Sequence, residues 1–75
     1  MVISELTRTV EEKIQNSDSP RLEAEYIVMA AANMSRAEYL IRKRENAGEE
    51  VIKKAEQAAY RRASGEPLAY ILGFT

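Results

Sequence analysis

The sequence contains no cysteine and no histidine. Without cysteine there is no disulfide framework and no thiolate nucleophile. Without histidine the commonest general base and the commonest metal ligand are both missing, and zinc sites of the Cys/His type are excluded. Glycine and proline are scarce, three and two residues respectively, and the glycines lie too far apart to build a phosphate-cradling loop. Net charge is nearly absent as well. Eleven basic residues meet twelve acidic ones, for −1 overall, so nothing draws the chain generally to nucleic acid or anionic lipid. No apolar run approaches the ~20 residues that a bilayer span needs. The opening, MVISELTRTVEE, carries acids where a signal peptide carries bases. These absences lead us to expect a soluble, cytoplasmic chain.

What is present favours helix. The chain has 75 residues, 45% of them apolar and 31% charged, enough for one small domain that buries only about 60% of its unfolded surface. Eleven alanines raise helix propensity. The fold expected is all-α, a small bundle of about five helices over residues 3–16, 20–33, 36–43, 47–64 and 67–72.

In the first helix Ile3, Leu6, Val10 and Ile14 recur at spacings of three and four, which makes one apolar stripe. Ser19 is the natural N-cap of the second, and Pro20 suits its first position. Residues 26–32 of that helix are apolar without interruption. A helix apolar on every side is expected to be surrounded by protein. This one is therefore read as the central helix, and Ala30→Glu should unfold the chain by burying an unpaired charge. Asn33 is expected to end it in the left-handed conformation. Ser35 and Glu38 form a capping-box pattern, with Met34 and Tyr39 at the staple positions.

The connection Arg42-Lys43-Arg44-Glu45-Asn46 is charged, and Asn46 with Glu49 repeats the cap-plus-acid pattern. The fourth helix has a largely alanine inner face and two i, i+4 pairs, Glu49–Lys53 and Glu50–Lys54. Gly65 closes it. Pro67 and Gly73 bracket Leu-Ala-Tyr-Ile-Leu, read as a short helix.

Candidate chemistry is thin. The acidic groups Glu11-Glu12, Glu23/Glu25 and Glu49-Glu50 read as solvated helix faces, because adjacent helical residues diverge by about 100°. The tyrosines at 26, 39, 60 and 70 read as core or core-rim residues. Residues 1–35 hold three bases and six acids, whereas residues 36–75 hold eight bases and six acids. Arg42, Lys43 and Arg44 are therefore the candidate partner-binding residues. A DNA-binding reading would turn helices 2 and 3 into a helix-turn-helix, with Arg36, Glu38, Arg42 and Lys43 reading bases. A stand-alone helical adaptor is the other form of this alternative.

Two stretches carry a resemblance. Ser19-Pro20-Arg21-Leu22-Glu23-Ala24-Glu25 and Arg61-Arg62-Ala63-Ser64-Gly65-Glu66-Pro67-Leu68-Ala69-Tyr70-Ile71-Leu72-Gly73-Phe74, with Ser35-Arg36-Ala37-Glu38 between them, resemble the N-terminal domain of the HemK/PrmC family. These are the release-factor glutamine N5-methyltransferases. The Gly-Glu-Pro-Leu-Ala-Tyr-Ile-Leu-Gly segment is the specific part. The resemblance implies a five-helix recognition domain followed by a Rossmann-like methyltransferase domain that this chain lacks. A β-hairpin linker would begin near Phe74-Thr75. It implies S-adenosylmethionine as cofactor of the parent enzyme, with none in this fragment, which should be inactive alone. It implies a class I peptide chain release factor and the chain's own C-terminal domain as partners, and neither membrane nor direct nucleic acid. The family's glycine-rich cofactor loop and Asn-Pro-Pro-Tyr motif are absent, so no catalytic, cofactor or metal residue carries over. Pro20, Gly65, Pro67 and Gly73 carry over as structural residues. Asn33 stands where relatives commonly have glycine.

Overall fold

The structure, a computed structural model, describes residues 1–73. It contains five helices: α1 Ile3–Lys13, α2 Pro20–Ala32, α3 Arg36–Arg42, α4 Glu49–Ala63 and α5 Leu68–Leu72. The reading of Phe74-Thr75 as the start of a linker falls outside the described residues. Helix α1 packs on α2 and α4, α2 packs also on α4 and α5, and α4 packs on α5.

The α1 stripe is the floor of the core. Ile3, Leu6, Val10 and Ile14 are all buried, with Thr7 beside them. Facing them are Ala24, Ile27 and Val28 of α2, Tyr39 of α3, and Ala55 and Ala59 of α4. Burying each large aliphatic side chain contributes ~1.5–3 kcal/mol. The two alanines let α4 lie close, and Val51, Ile52 and Ala58 fill its flanks. Tyr39 is the one buried residue of α3.

Most helix ends follow their local sequence. Pro20 opens α2, and Asn33 closes it at φ 55°. The Asn33 N–H donates to the Ala30 carbonyl, and the Met34 N–H reaches back to Met29 at 2.9 Å. Gly65, at φ 103°, ends α4 in the same way. Its N–H donates to Arg62, and the Glu66 N–H donates to Arg61, which is the Schellman arrangement. The capping box is complete. The Glu38 N–H donates to Ser35 Oγ at 3.1 Å, and the Ser35 N–H donates to Glu38 Oε1 at 2.9 Å.

Other boundaries depart from the local reading. Helix α1 ends at Lys13 rather than 16, with Ile14 as its C-cap. Ser19 stands at the N-cap, but its side chain accepts no capping bond. Helix α4 begins at Glu49 behind Gly48, not behind Asn46. Asn46 instead forms an antiparallel backbone bridge with Val2. Here the connection supplies what α1 lacks. The Ile3 N–H donates to the Glu45 carbonyl at 2.9 Å, Ser4 to Lys43 at 2.8 Å, and Ala47 to Met1 at 2.8 Å. The first N–H groups of a helix have no partner within it. The 43–48 connection turns at Lys43 and Arg44 and gives the Lys43 and Glu45 carbonyls to α1, so α3 stops at Arg42 and α4 starts only at Glu49. Pro67 is the N-cap of α5 rather than its first residue, and its carbonyl accepts from Tyr70.

The largest departure concerns α2. Residues 26–32 are not wrapped on every side. Tyr26 is 41% exposed, Ala30 is exposed, and Met29, Ala31 and Ala32 are half-buried. A bundle this small supplies three neighbours to α2 and leaves the fourth side open. Tyr60 and Tyr70 are likewise on the surface, at 74% and 70% exposure, not at the core rim. Neither Glu49–Lys53 nor Glu50–Lys54 closes to an ion pair among the described residues. Such exposed pairs gain little against side-chain entropy.

Candidate functional site

The three cations of the basic connection have different surroundings. Arg42 Nε donates to Glu45 Oε1 at 3.0 Å, so its charge is matched within its own turn. Lys43 gives its carbonyl to α1, while its side chain lines a polar cleft of about 460 Å³ between α1, α2 and α3. Arg44 is exposed. Arg8 of α1 and Arg21 of α2 line the same cleft as Lys43. Among the described residues none of Arg8, Arg21, Lys43 and Arg44 has a carboxylate within 4.0 Å. Glu5, Glu11 and Glu25 also line the cleft, three acids against its three cations, so it is polar and balanced rather than positive.

The cleft has a buried, hydrogen-bonded floor. Thr7 and Tyr39 both line it and both are buried. The Thr7 hydroxyl donates to the Ile3 carbonyl at 3.1 Å. The Tyr39 hydroxyl lies 2.8 Å from Thr7 Oγ1. Because the threonine proton is committed to Ile3, Tyr39 is the donor in that pair. The sequence pattern singles out Lys43 but not Arg8, Arg21 or Thr7. The two arginines look like ordinary outer-face charges, and only the packing of α1, α2 and α3 brings them together.

Two further ion pairs tie helices rather than offer charge. Arg36 Nη1 donates to Glu25 Oε1 at 2.7 Å, and its guanidinium sits 5.9 Å from the centre of the Tyr26 ring. The hydrogen bond that Arg36 donates to the Glu25 carboxylate raises the Arg36 pKa above its ordinary value. Arg62 Nε donates to Glu23 Oε1 at 2.7 Å, with both side chains less than one-fifth exposed. Arg36 and Arg42 are thus engaged within the protein, which disfavours the helix-turn-helix reading that needed both for bases.

The Gly65-Glu66-Pro67 turn is built by its own residues. Arg61 grips Glu66 with two bonds, Nε at 2.7 Å and Nη2 at 3.0 Å. The Glu66 carboxyl is held below the usual carboxylate range by that hydrogen bond. Arg62 Nη1 donates to the Glu66 carbonyl at 3.2 Å, and Asn16 Nδ2 donates to the Ala63 carbonyl at 3.1 Å. Gly65 and Gly73 each hold positive φ, and Pro67 caps α5. The turn sets the direction of α5 across α2.

Between α2 and α5 runs an apolar groove of about 570 Å³, lined by Tyr26, Met29, Ala30, Met34, Leu68 and Leu72. Among the described residues no three acidic side chains gather as a metal site, and no helix is long and apolar enough to cross a membrane. The described residues thus form a polar cleft and an apolar groove.

The family model described as PrmC N-terminal domain matches residues 5–73. The release factor glutamine methyltransferase of Neisseria gonorrhoeae is 35% identical over 65 residues, covering 87% of this chain and 24% of that protein. The release factor glutamine methyltransferase of Buchnera aphidicola subsp. Schizaphis graminum is 33% identical over 61 residues, covering 81% of this chain and 22% of that protein. The chain thus spans about a quarter of the length of these curated relatives. No solved structure matches it significantly. With the match running from the first turn of α1 to the glycine that closes α5, the chain belongs to the PrmC N-terminal domain family.

Proposed function

We propose that this chain is the substrate-recognition domain of a protein-(glutamine-N5) methyltransferase. The enzyme would transfer a methyl group from S-adenosylmethionine to the glutamine of the Gly-Gly-Gln motif in a class I peptide chain release factor. A Rossmann-like domain following residue 73 would carry the cofactor and the chemistry, in the cytoplasm where translation ends. The observation that carries this reading is the family match over residues 5–73. The names of the two relatives support it.

These residues do not themselves fit the cofactor. Gly65 and Gly73 terminate helices in the left-handed conformation, and Gly48 caps another. No strand-loop-helix collects glycines for it among the described residues. The chain's contribution is grip. Holding a large substrate at a distance from the reacting amide raises the local concentration of that amide and limits its orientations.

The contact we assign is the connection Arg42, Lys43 and Arg44, extended by Arg8 and Arg21 along the cleft. Lys43, Arg44, Arg8 and Arg21 have no carboxylate within 4.0 Å among the described residues. Such cations suit an acidic partner surface, where they speed encounter more than they add affinity. Arg42 would exchange Glu45 for that surface. The experiment compares the full-length enzyme with its Arg42→Glu/Lys43→Glu/Arg44→Glu variant in methyl transfer to the release factor. A KM raised severalfold with kcat retained is the expected result. Unchanged KM removes the basic connection from the interface. Absence of any methyl transfer by the wild-type enzyme refutes the functional reading itself. Calorimetry of this 75-residue chain with S-adenosylmethionine should show no binding heat.

A further inference from the structure

The apolar groove between α2 and α5 is unexplained by release-factor recognition through cations. Its α2 wall continues upward through Leu22, which is 44% exposed, to give an apolar line at 22, 26 and 29–30. Two methionines, Met29 and Met34, lie in it, and methionine adapts its shape to an incoming apolar surface. Helix α5, the other wall, has five residues and none fully buried. A helix that short has almost no stability of its own. Among the described residues α5 is held on one side by α2 and α4 and meets no helix on the other.

We infer that this groove is the seat of the domain that follows residue 73 in the full-length protein, an intramolecular docking site for one apolar segment of that domain. The inference rests on the reading of the chain as the N-terminal part of a longer enzyme. Two observations select this occupant. First, the exit is adjacent: Leu72 lines the groove, and Gly73, at φ 82°, is the next residue and turns the chain there. The relatives are about four times as long, and a chain continuing from Gly73 would start at the rim of the groove. A partner tethered by a short linker acts at millimolar effective concentration, so a small contact suffices. Second, only seven residues line the groove. A contact confined to them would fall well short of the about 20–30 residues a side of a stable interface between separate proteins, which favours a covalently tethered occupant.

The test uses the full-length enzyme and two separate substitutions on opposite walls, Ala30→Glu on α2 and Ala69→Glu on α5, both positions lining the groove. Both positions are exposed here, so each variant should keep its helical circular dichroism, and either one suffices if the other fails to fold. Small-angle scattering and amide exchange are read without release factor. In the wild type, residues 68–72 should be protected and the particle compact. In each variant that protection should be lost and the radius of gyration should rise. Unchanged exchange and scattering in a folded variant overturn the proposal. So does protection that appears only when release factor is added, which would make the groove part of the substrate interface. Protection that depends on protein concentration also overturns it, in favour of a second copy. Wild-type methyl transfer to the release factor is measured in parallel. Its absence refutes the enzyme reading, whereas its presence with an unchanged variant refutes only the docking site.

Discussion

Helices α1 and α2 exchange the roles that their compositions suggest. Helix α1 is rich in charge and threonine, yet its apolar stripe is buried from Ile3 to Ile14. Helix α2 is nearly all apolar in its second half, yet only Ala24, Ile27 and Val28 are buried. The difference is one of neighbours. The narrow stripe of α1 meets α2 and α4 and is used up by them. The broad apolar surface of α2 meets α1, α4 and the short α5, and the remainder faces outward. Apolar surface in excess of what the fold can cover marks a place for something else.

Altering one side chain on each helix puts this contrast at risk. Leu6→Ala should destabilise the protein by ~2–5 kcal/mol, because it empties a fully buried site in a close-packed core. A melting temperature within about a degree of wild type, far less than ~2 kcal/mol would produce, would show that α1 is not the floor of the core. Tyr39→Phe should cost about 1 kcal/mol, the loss of one buried hydrogen bond with Thr7, read from chemical denaturation. Ser35→Ala should cost a similar ~1 kcal/mol through the capping box. On the open side of α2, Ala30→Glu should change stability by less than ~0.5 kcal/mol, since the position is exposed. A collapse on that substitution would restore the view of α2 as fully enclosed.

A subtler effect belongs to acid. Glu38 is held below the ordinary carboxylate range, first by the Ser35 backbone N–H and then by its hydroxyl. Glu66 is held down by Arg61. For a carboxyl lowered on folding, the unfolded chain binds the proton more readily. The stabilisation is therefore complete above the unfolded value of about 4.3 and fades as pH falls through the lower folded value. Glu38→Gln with Glu66→Gln should flatten the acid limb of the stability profile below about pH 4.3. An unaltered limb would mean that other carboxyls dominate it.

Features set within four or five residues are legible in the sequence. The α1 stripe, the Ser35–Glu38 box, the left-handed Asn33, Pro20 at the start of α2 and the Gly65 stop each depend on groups close along the chain. The resemblance carried by the Gly-Glu-Pro segment is legible too, since that segment locks its own turn through Arg61, Arg62 and Glu66. The 43–48 connection misleads. Asn46 has the side chain of a cap, but the backbone of its connection is taken by α1, some forty residues away. The cleft cations are legible only as to Lys43, because Arg8 and Arg21 acquire meaning from the helices beside them.

That this chain is helical, where most of its helices start and stop, and which residues of α1 lie inward all follow from the order of its residues. Those are matters of backbone conformation, capping and periodicity, which act over one or two turns. Which side of α2 stays open, which carbonyls cap α1, and which cations gather over Thr7 and Tyr39 are settled by packing. Each depends on what lies against a residue in space, and a bundle of five short helices has too few neighbours to cover every apolar surface its sequence provides.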